Sequence, residues 1–149
     1  METSPRPSRG GRLPAHELFT ALRALGLPAE HYLVAGSGPL FAHGLATDLR
    51  DLDLIARGPA WAAVLELGRP EPVPIGNGQV VRLLAGRIEV YDGWFPPRWQ
   101  VDRLIAEAQL LDGVRFMALR TVLEWKSFLD RPKDQAAIRA LTAYLGAGS

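Results

Sequence analysis

Two short segments of the chain combine residue types that can act on phosphate groups. The first is Val34-Ala35-Gly36-Ser37, and the second, thirteen residues later, is Asp51-Leu52-Asp53-Leu54-Ile55. Asp51 and Asp53 lie two positions apart in a run that is typical of a strand, so both carboxylates should project from the same face. Two carboxylates on one face can hold a divalent metal ion, and glycine lets the backbone approach a phosphate closely.

The chemistry that suits this combination is nucleotidyl transfer, in which a nucleoside monophosphate moves from a triphosphate to an acceptor. Catalysis of that reaction consists mostly of positioning the phosphates and neutralising their charge. Gly36 and Ser37 would cradle the triphosphate, helped by the backbone N–H groups of a helix that should begin near Gly38. Asp51 and Asp53 would hold Mg²⁺ or Mn²⁺, and a nucleoside triphosphate (NTP) would be the co-substrate.

A metal site of this kind calls for a third carboxylate on a neighbouring strand. Glu89 is the favoured candidate because Ile88-Glu89-Val90 is typical of the middle of a strand. Asp92 is the alternative, although it lies beside a glycine and on the opposite face from Glu89. The predicted catalytic and metal-binding set is therefore Asp51, Asp53 and Glu89.

Hydrophobic periodicity indicates the elements that position these residues. Helices are predicted at residues 14–25, 38–44, 60–67, 119–129 and 132–145, and strands at residues 31–35, 51–56, 79–84 and 87–91. In the third helix Trp61, Val64 and Leu65 should face inward. Residues 68–74, with one glycine and three prolines, should form a loop.

These elements predict an α/β protein of the α+β kind, with a small mixed β-sheet, flanking helices and C-terminal helices. A chain of 149 residues is long enough for one core, so residues 14–149 should form a single domain. Residues 1–13 are rich in Pro, Ser, Gly and Arg and should form a flexible tail.

Composition narrows the possible partners and the compartment. The net charge of +1 argues against bulk electrostatic capture of nucleic acid, and the absence of cysteine removes disulfides and thiolate ligands. No run of eighteen apolar residues and no signal peptide is visible, which predicts a cytoplasmic protein that does not bind membranes. Carboxylates and histidines are the remaining metal ligands.

The two segments resemble the signature of the nucleotidyltransferase superfamily with the polymerase-β-like fold. That signature is a hydrophobic residue, Gly, and Gly or Ser, followed after a spacer by Asp, hydrophobic, Asp or Glu, hydrophobic. The chain is similar in particular to small stand-alone members of the AbiEii toxin type. The further matching segments are Phe41-Ala42-His43-Gly44 and Lys126...Arg131-Pro132-Lys133-Asp134, within a resemblance that covers roughly residues 31–140. The chain departs from the pattern in two places. It has Thr47-Asp48-Leu49-Arg50 where the group often has Arg-x-Thr-x, and it has Ala137 where the group has a second late Asp.

The resemblance implies an Mg-dependent nucleotidyltransferase and, by the same analogy, the toxin of a toxin–antitoxin pair with a cognate antitoxin. It also brings Lys126 and Lys133, the only lysines among 17 basic residues, close to the bound nucleotide. Lys126 is expected to contact phosphate and Lys133 to form an ion pair. The acceptor stays open between a small molecule, a tRNA and a protein hydroxyl.

Two alternatives remain at the level of sequence. Trp94, Phe95 and Trp99 could stack on a base or an acceptor ring, or could simply anchor a hydrophobic loop. The whole chain could also be a catalytically inactive module that keeps the scaffold and binds a partner protein or RNA.

Overall fold

The structure is a computed structural model that describes residues 13–74, 78–95 and 98–147. Apart from Leu13, the tail predicted over residues 1–13 lies outside the described residues. Within the described residues no helix is both long enough and apolar enough to span a bilayer.

One mixed sheet organises the described part of the chain. Its strands are β1 (Tyr32–Ala35), β2 (Leu52–Ala56), β3 (Pro70–Pro72), β4 (Gln79–Leu83), β5 (Ile88–Tyr91), β6 (Gln109–Leu111) and β7 (Val114–Phe116). Their order across the sheet is β3-β4-β5-β2-β1-β7-β6. β2 is antiparallel to β1 and parallel to β5. The strands that carry the predicted turn and acids are therefore direct neighbours in the middle of the sheet.

Helices cover both faces of this sheet. They are α1 (Glu17–Ala24), α2 (Gly38–Ala42), α3 (Gly58–Leu65), α4 (Val101–Ala106), α5 (Leu119–Leu129) and α6 (Gln135–Ala147). α1 begins later than the Pro14 pattern predicts, because the Nδ1 atom of His16 accepts a hydrogen bond from the Leu18 amide at 3.0 Å and caps the helix there. The predicted α+β class, with a mixed sheet and flanking helices, is confirmed.

Alternating side chains along β2 separate two cores. Leu52 and Leu54 are fully buried in the core to which α1 and α3 contribute. Ile55 is fully buried in the second core, beneath α5 and α6. Asp53 is two residues from Ile55 and shares its face, so the predicted acids lie on the α5 side of the sheet. Each such buried aliphatic side chain contributes about 1.5–3 kcal/mol to folding, which fixes the register of β2.

Two predictions about the connecting region are wrong. Residues 68–74 are not only loop, because β3 pairs antiparallel with β4 at the edge of the sheet. An edge strand tolerates Pro70 and Pro72 because it does not need every N–H group for pairing. Leu65 does not face inward: it is 42% exposed, while Ala60 and Val64, one helical turn apart, are fully buried.

Candidate active site

The turn after β1 touches the carboxylate of the neighbouring strand. Ala35 is paired with Asp53, and Gly36 follows with a φ angle of +65°. A Cβ atom at Gly36 would lie 2.7 Å from Oδ2 of Asp53, closer than van der Waals contact allows. Glycine is therefore required both by the backbone conformation and by the side chain beside it. The two segments that stand apart in the sequence form one site.

A second glycine holds α2 against β1. A Cβ atom at Gly38 would lie 2.4 Å from Cγ1 of Val34, so a larger residue would push the start of α2 away from the strand. Ser37 precedes this helix, is exposed, and makes no capping hydrogen bond through its side chain. Its hydroxyl therefore remains available to a ligand in the cleft that it lines.

Three acids line the cleft on the α5 side of the sheet. Asp51 is exposed just before β2, Asp53 is partly buried within it, and Glu89 is directly paired with Asp53 across the parallel β2–β5 register. Burial, followed by the charges of Asp51 and Glu89, raises the pKa of Asp53 to about 7, against the opposing effect of Lys126 and Lys133. Like charges in a half-buried site disfavour the ionised form of each acid, and a bound cation would offset that repulsion.

Glu89 already has two hydrogen-bonding partners. Nε of Arg82 donates to its Oε2 at 2.9 Å, and the hydroxyl of Tyr91 donates to its Oε1 at 3.0 Å. Asp92, the rival third carboxylate, instead accepts a hydrogen bond from the backbone amide of Gln79 at 2.9 Å and does not line the cleft. The structure thus brings Glu89, and not Asp92, to the two aspartates.

Sequence reasoning missed Arg82 and Tyr91, although the hairpin register contains the signal. Arg82 is paired with Glu89 across β4 and β5, which is the arrangement that lets opposite charges meet. Tyr91 is two residues beyond Glu89 and therefore on the same face. Burial, followed by the charges of Asp53 and Glu89, raises the pKa of Tyr91, so its hydroxyl keeps the proton that it donates.

The donor set fits a hard divalent cation in part. Within residues 13–74, 78–95 and 98–147, no three Asp, Glu or His side chains stand together as a ready-made metal cage. Mg²⁺ is usually bound through one or two carboxylates, with substrate phosphates completing its shell. Asp51 and Asp53 suit that role, whereas Glu89 would have to exchange its contacts with Arg82 and Tyr91 before it could serve as a ligand.

The ion pair expected for Lys133 is formed by Lys126 instead, and both lysines line the cleft. Lys126 is the lysine with an ion pair: its side chain is buried, and its Nζ lies 3.5 Å from Oδ1 of Asp134. Arg131 also binds Asp134, through Nε at 2.7 Å and Nη2 at 2.9 Å. Lys133, expected to be the paired lysine, is exposed at the cleft, and none of the described acids pairs with it. The buried carboxylate of Asp134 pairs with the buried lysine, which leaves the ammonium of Lys133 exposed in the cleft.

The carboxylates, the turn and the lysines share one cleft of about 660 Å³. That volume is within the range typical of small-molecule sites. Its polar end holds Gly36, Ser37 and the three acids, with Arg50 and Lys133 also in the lining. The rest of the lining is largely apolar and includes Tyr91, Trp94, Phe95, Trp125 and Leu129, with Val73 and Pro74. Trp99, the third aromatic residue singled out in the sequence, lies outside this lining.

A Gly36→Ala substitution should separate backbone strain from damage to the site. We expect the left-handed φ angle to cost about 1–2 kcal/mol in unfolding free energy, and the added methyl group to displace Asp53. Gly26→Ala is the matched control, because Gly26 has a φ angle of +67° and a methyl group there would meet no described residue beyond its chain neighbours within 4 Å.

Gly36→Ala should lose at least as much stability as Gly26→Ala in chemical unfolding, and only Gly36→Ala should also lose, in calorimetry, the metal-dependent ATP binding that the sequence resemblance predicts. Equal ATP binding by the two variants would show that the turn does not position the carboxylate.

Comparison with protein-family models, with curated proteins and with solved structures finds no match for this chain.

Proposed function

We propose that the chain is a metal-dependent nucleotidyltransferase that moves a nucleoside monophosphate from an NTP to a hydroxyl-bearing acceptor. The observation that carries the proposal is the contact between the Gly36 turn and the carboxylate of Asp53, with Asp51 and Glu89 beside it in one cleft. A turn that receives phosphates and acids that hold a metal ion must be adjacent to serve this reaction, and the closeness of Gly36 to Asp53 supports that arrangement.

Each part of the cleft has a role in this proposal. The backbone at Gly36 and the hydroxyl of Ser37 would receive the triphosphate, and Lys133 would offset its negative charge. Asp51 and Asp53 would hold Mg²⁺ or Mn²⁺, which supplies charge neutralisation and a more acidic acceptor hydroxyl when bound. Glu89 would orient the acceptor hydroxyl or complete the metal site.

We also propose that the fold is polymerase-β-like, which is more specific than the α+β class. The support for this fold is the central position of β1, β2 and β5, which places the turn and the three acids on, or directly next to, adjacent strands. A role as the toxin of a toxin–antitoxin pair follows from the sequence resemblance, as does a cognate antitoxin partner. The acceptor is a small molecule, a tRNA or a protein hydroxyl.

Pyrophosphate release provides the direct test. The protein, supplied with Mg²⁺ and each labelled NTP, should transfer label to a component of a cellular extract and release pyrophosphate. Asp51→Asn should lower the rate by about 100-fold or more, since metal-assisted charge stabilisation contributes several kcal/mol. Asp102→Asn is the control, because Asp102 is exposed and pairs with Arg57 instead of lining the cleft. Equal rates for Asp51→Asn and wild type would refute the proposed metal site.

One observation favours a second candidate, an inactive module that binds a partner protein or RNA. Both carboxylate oxygens of Glu89 already accept hydrogen bonds, from Arg82 and from Tyr91, so the third acid is not free to bind a metal ion. Absence of pyrophosphate release with every NTP and with RNA, small-molecule and protein acceptors would favour this candidate over the enzyme.

A further inference from the structure

Three aromatic side chains form a continuous corner in the apolar wall of the cleft. We define the aromatic corner as Trp94, Phe95 and Trp125. The ring centroids are 5.0 Å apart for Trp94 and Trp125, 5.5 Å for Trp94 and Phe95, and 6.2 Å for Phe95 and Trp125. Tyr91, whose hydroxyl binds Glu89, packs edge-on against Trp94 at 5.5 Å. The corner is therefore in direct contact with the residues that surround the acids.

Phe95 is the most exposed member of the corner and has an unusual backbone. Its φ angle of +49° is in the left-handed region, which is unfavourable for an aromatic residue. The turn is closed by a hydrogen bond from the Arg98 amide to the Phe95 carbonyl at 3.0 Å and by a bridge between Trp94 and Trp99. Strain of this kind persists where the surrounding structure holds a side chain in a required place. Here it holds the Phe95 ring in the lining of the cleft.

The corner also contains two unsatisfied hydrogen-bond donors. Trp94 and Trp125 are 4% and 6% exposed, and their indole Nε1 atoms have no hydrogen-bond partner among the described residues. Buried N–H groups without an acceptor are uncommon in folded proteins. Both residues line the cleft, but their Nε1 atoms are themselves buried, so the tryptophans offer ring surface and not N–H donors to a bound molecule.

These features match the nucleoside part of an NTP better than a simple hydroxyl acceptor. If the phosphates lie at Gly36 and Ser37, the part of the NTP still to be placed is a sugar and a flat ring that carries hydrogen-bond acceptors. Aromatic side chains stack on such a ring whatever its identity, because every base has a π face. The volume of about 660 Å³ leaves room for this part beside the phosphates.

We propose that the aromatic corner is the nucleobase subsite of the cleft, with Phe95 stacking on the base and the two tryptophan rings packed behind it. The inference rests on the proposed function, since it assumes that an NTP is bound. It goes beyond that function because it places the base against residues that belong to neither the Gly-Ser segment nor the Asp-x-Asp segment.

Inorganic tripolyphosphate separates this inference from the proposed function, because it has the phosphates of an NTP and no base. Calorimetry with Mg²⁺ should show that wild type binds ATP about tenfold more tightly than tripolyphosphate, the scale expected for one stacked base. Phe95→Leu should lose that advantage while keeping its affinity for tripolyphosphate. Phe95→Tyr, which keeps the ring, should retain most of it.

Tyr144→Leu is the control, because Tyr144 is 40% exposed on α6 and does not line the cleft. It also replaces an exposed aromatic ring by leucine and should bind ATP as wild type does. Quenching of intrinsic tryptophan fluorescence by ATP, but not by tripolyphosphate, gives a second readout from Trp94 and Trp125.

The outcomes are distinct. Unchanged ATP affinity in Phe95→Leu would overturn the subsite, and so would an equal loss for ATP and tripolyphosphate, which would show a merely structural effect. Wild-type protein that binds tripolyphosphate as tightly as ATP would overturn the subsite and leave the proposed function intact. Failure of wild type to bind either compound would refute both.

Discussion

Asp53→Asn should abolish metal-dependent NTP binding and, in metal-free protein at pH 8, make the fold more stable. The carboxylate of Asp53 is partly buried between Asp51 and Glu89, and its pKa is raised to about 7 by burial and by those two charges. Ionised Asp53 therefore weakens the native state in the absence of a cation. Asparagine removes the charge and, with it, a ligand for the metal ion.

The pH dependence follows from the direction of this shift. A group whose pKa is higher in the folded than in the unfolded protein contributes stability at low pH and loses it as the pH rises through the folded value. Wild type and Asp53→Asn should have similar unfolding free energies near pH 4, where both side chains are largely neutral in the folded state. The variant should gain steadily between pH 4 and about 7, and should be about 2–4 kcal/mol more stable above that range.

Urea unfolding in EDTA across this pH range measures the difference. Asp48→Asn is the control for stability, because Asp48 is exposed and its pair with Arg50, at 3.5 Å, is a weak surface contact. Addition of Mg²⁺ and ATP should stabilise wild type but not Asp53→Asn, since ligand binding raises stability by mass action. An Asp53→Asn protein that is less stable than wild type at pH 8, or that is stabilised equally by Mg²⁺ and ATP, would contradict the proposed site.

Asp134→Asn should produce the largest loss of stability among the substitutions considered. Asp134 is 1% exposed and accepts hydrogen bonds from the backbone and side chain of Arg131, while Nζ of Lys126 lies 3.5 Å away. Removing the negative charge leaves the buried ammonium of Lys126 without its partner. Breaking a buried ion pair in this way costs about 3–5 kcal/mol.

The pH dependence of this contribution has the opposite sign. Burial alone would raise the pKa of Asp134, but hydrogen bonds from Arg131 and the charge of Lys126 outweigh it and lower the pKa. A lowered carboxylate pKa gives stability that is complete above the unfolded value of about 3.9 and disappears as the pH falls through the folded value. The difference between wild type and Asp134→Asn should therefore shrink only in strong acid.

Asp130→Asn supplies the control for this measurement. Asp130 is exposed, in the same connection between α5 and α6, and asparagine tolerates its left-handed backbone. It should change the unfolding free energy by less than about 0.5 kcal/mol. Combining Asp134→Asn with Lys126→Met should recover part of the loss, since the unpaired buried charge is then gone. A double variant no more stable than Asp134→Asn would show that the ion pair is not the cause.

The central part of the fold was predictable because its signals are local. Gly36 ends an apolar run that is typical of a strand, and Asp51 and Asp53 have the spacing of residues on one face of a strand. The structure places Gly36 directly beside Asp53. α5 begins and ends at the predicted residues, since Leu119 to Leu129 has a clear helical period and stops before a left-handed Asp130.

The parts that escaped prediction depend on distant contacts. Glu89 was expected from its strand pattern, but its engagement by Arg82 depends on which residues pair across β4 and β5. The pairing of Lys126, and not of Lys133, with a carboxylate depends on which lysine the α5–α6 connection brings to the buried Asp134. Hydrophobic periodicity contains no information on either point, because both are decided by tertiary packing.

The parallel pairing of β2 with β5 has a consequence for how the site is assembled. The turn and both aspartates belong to residues 32–56, whose antiparallel strands are close in the chain, whereas Glu89 joins them only after the chain crosses over through α3 and the β3–β4 hairpin. Closing that longer loop has a larger entropic cost, so the chain can bring the Gly36 turn to both aspartates while the third acid is still absent. Substitutions that weaken the β3–β4–β5 edge should therefore displace Glu89 from the cleft and leave the Gly36 turn beside Asp53.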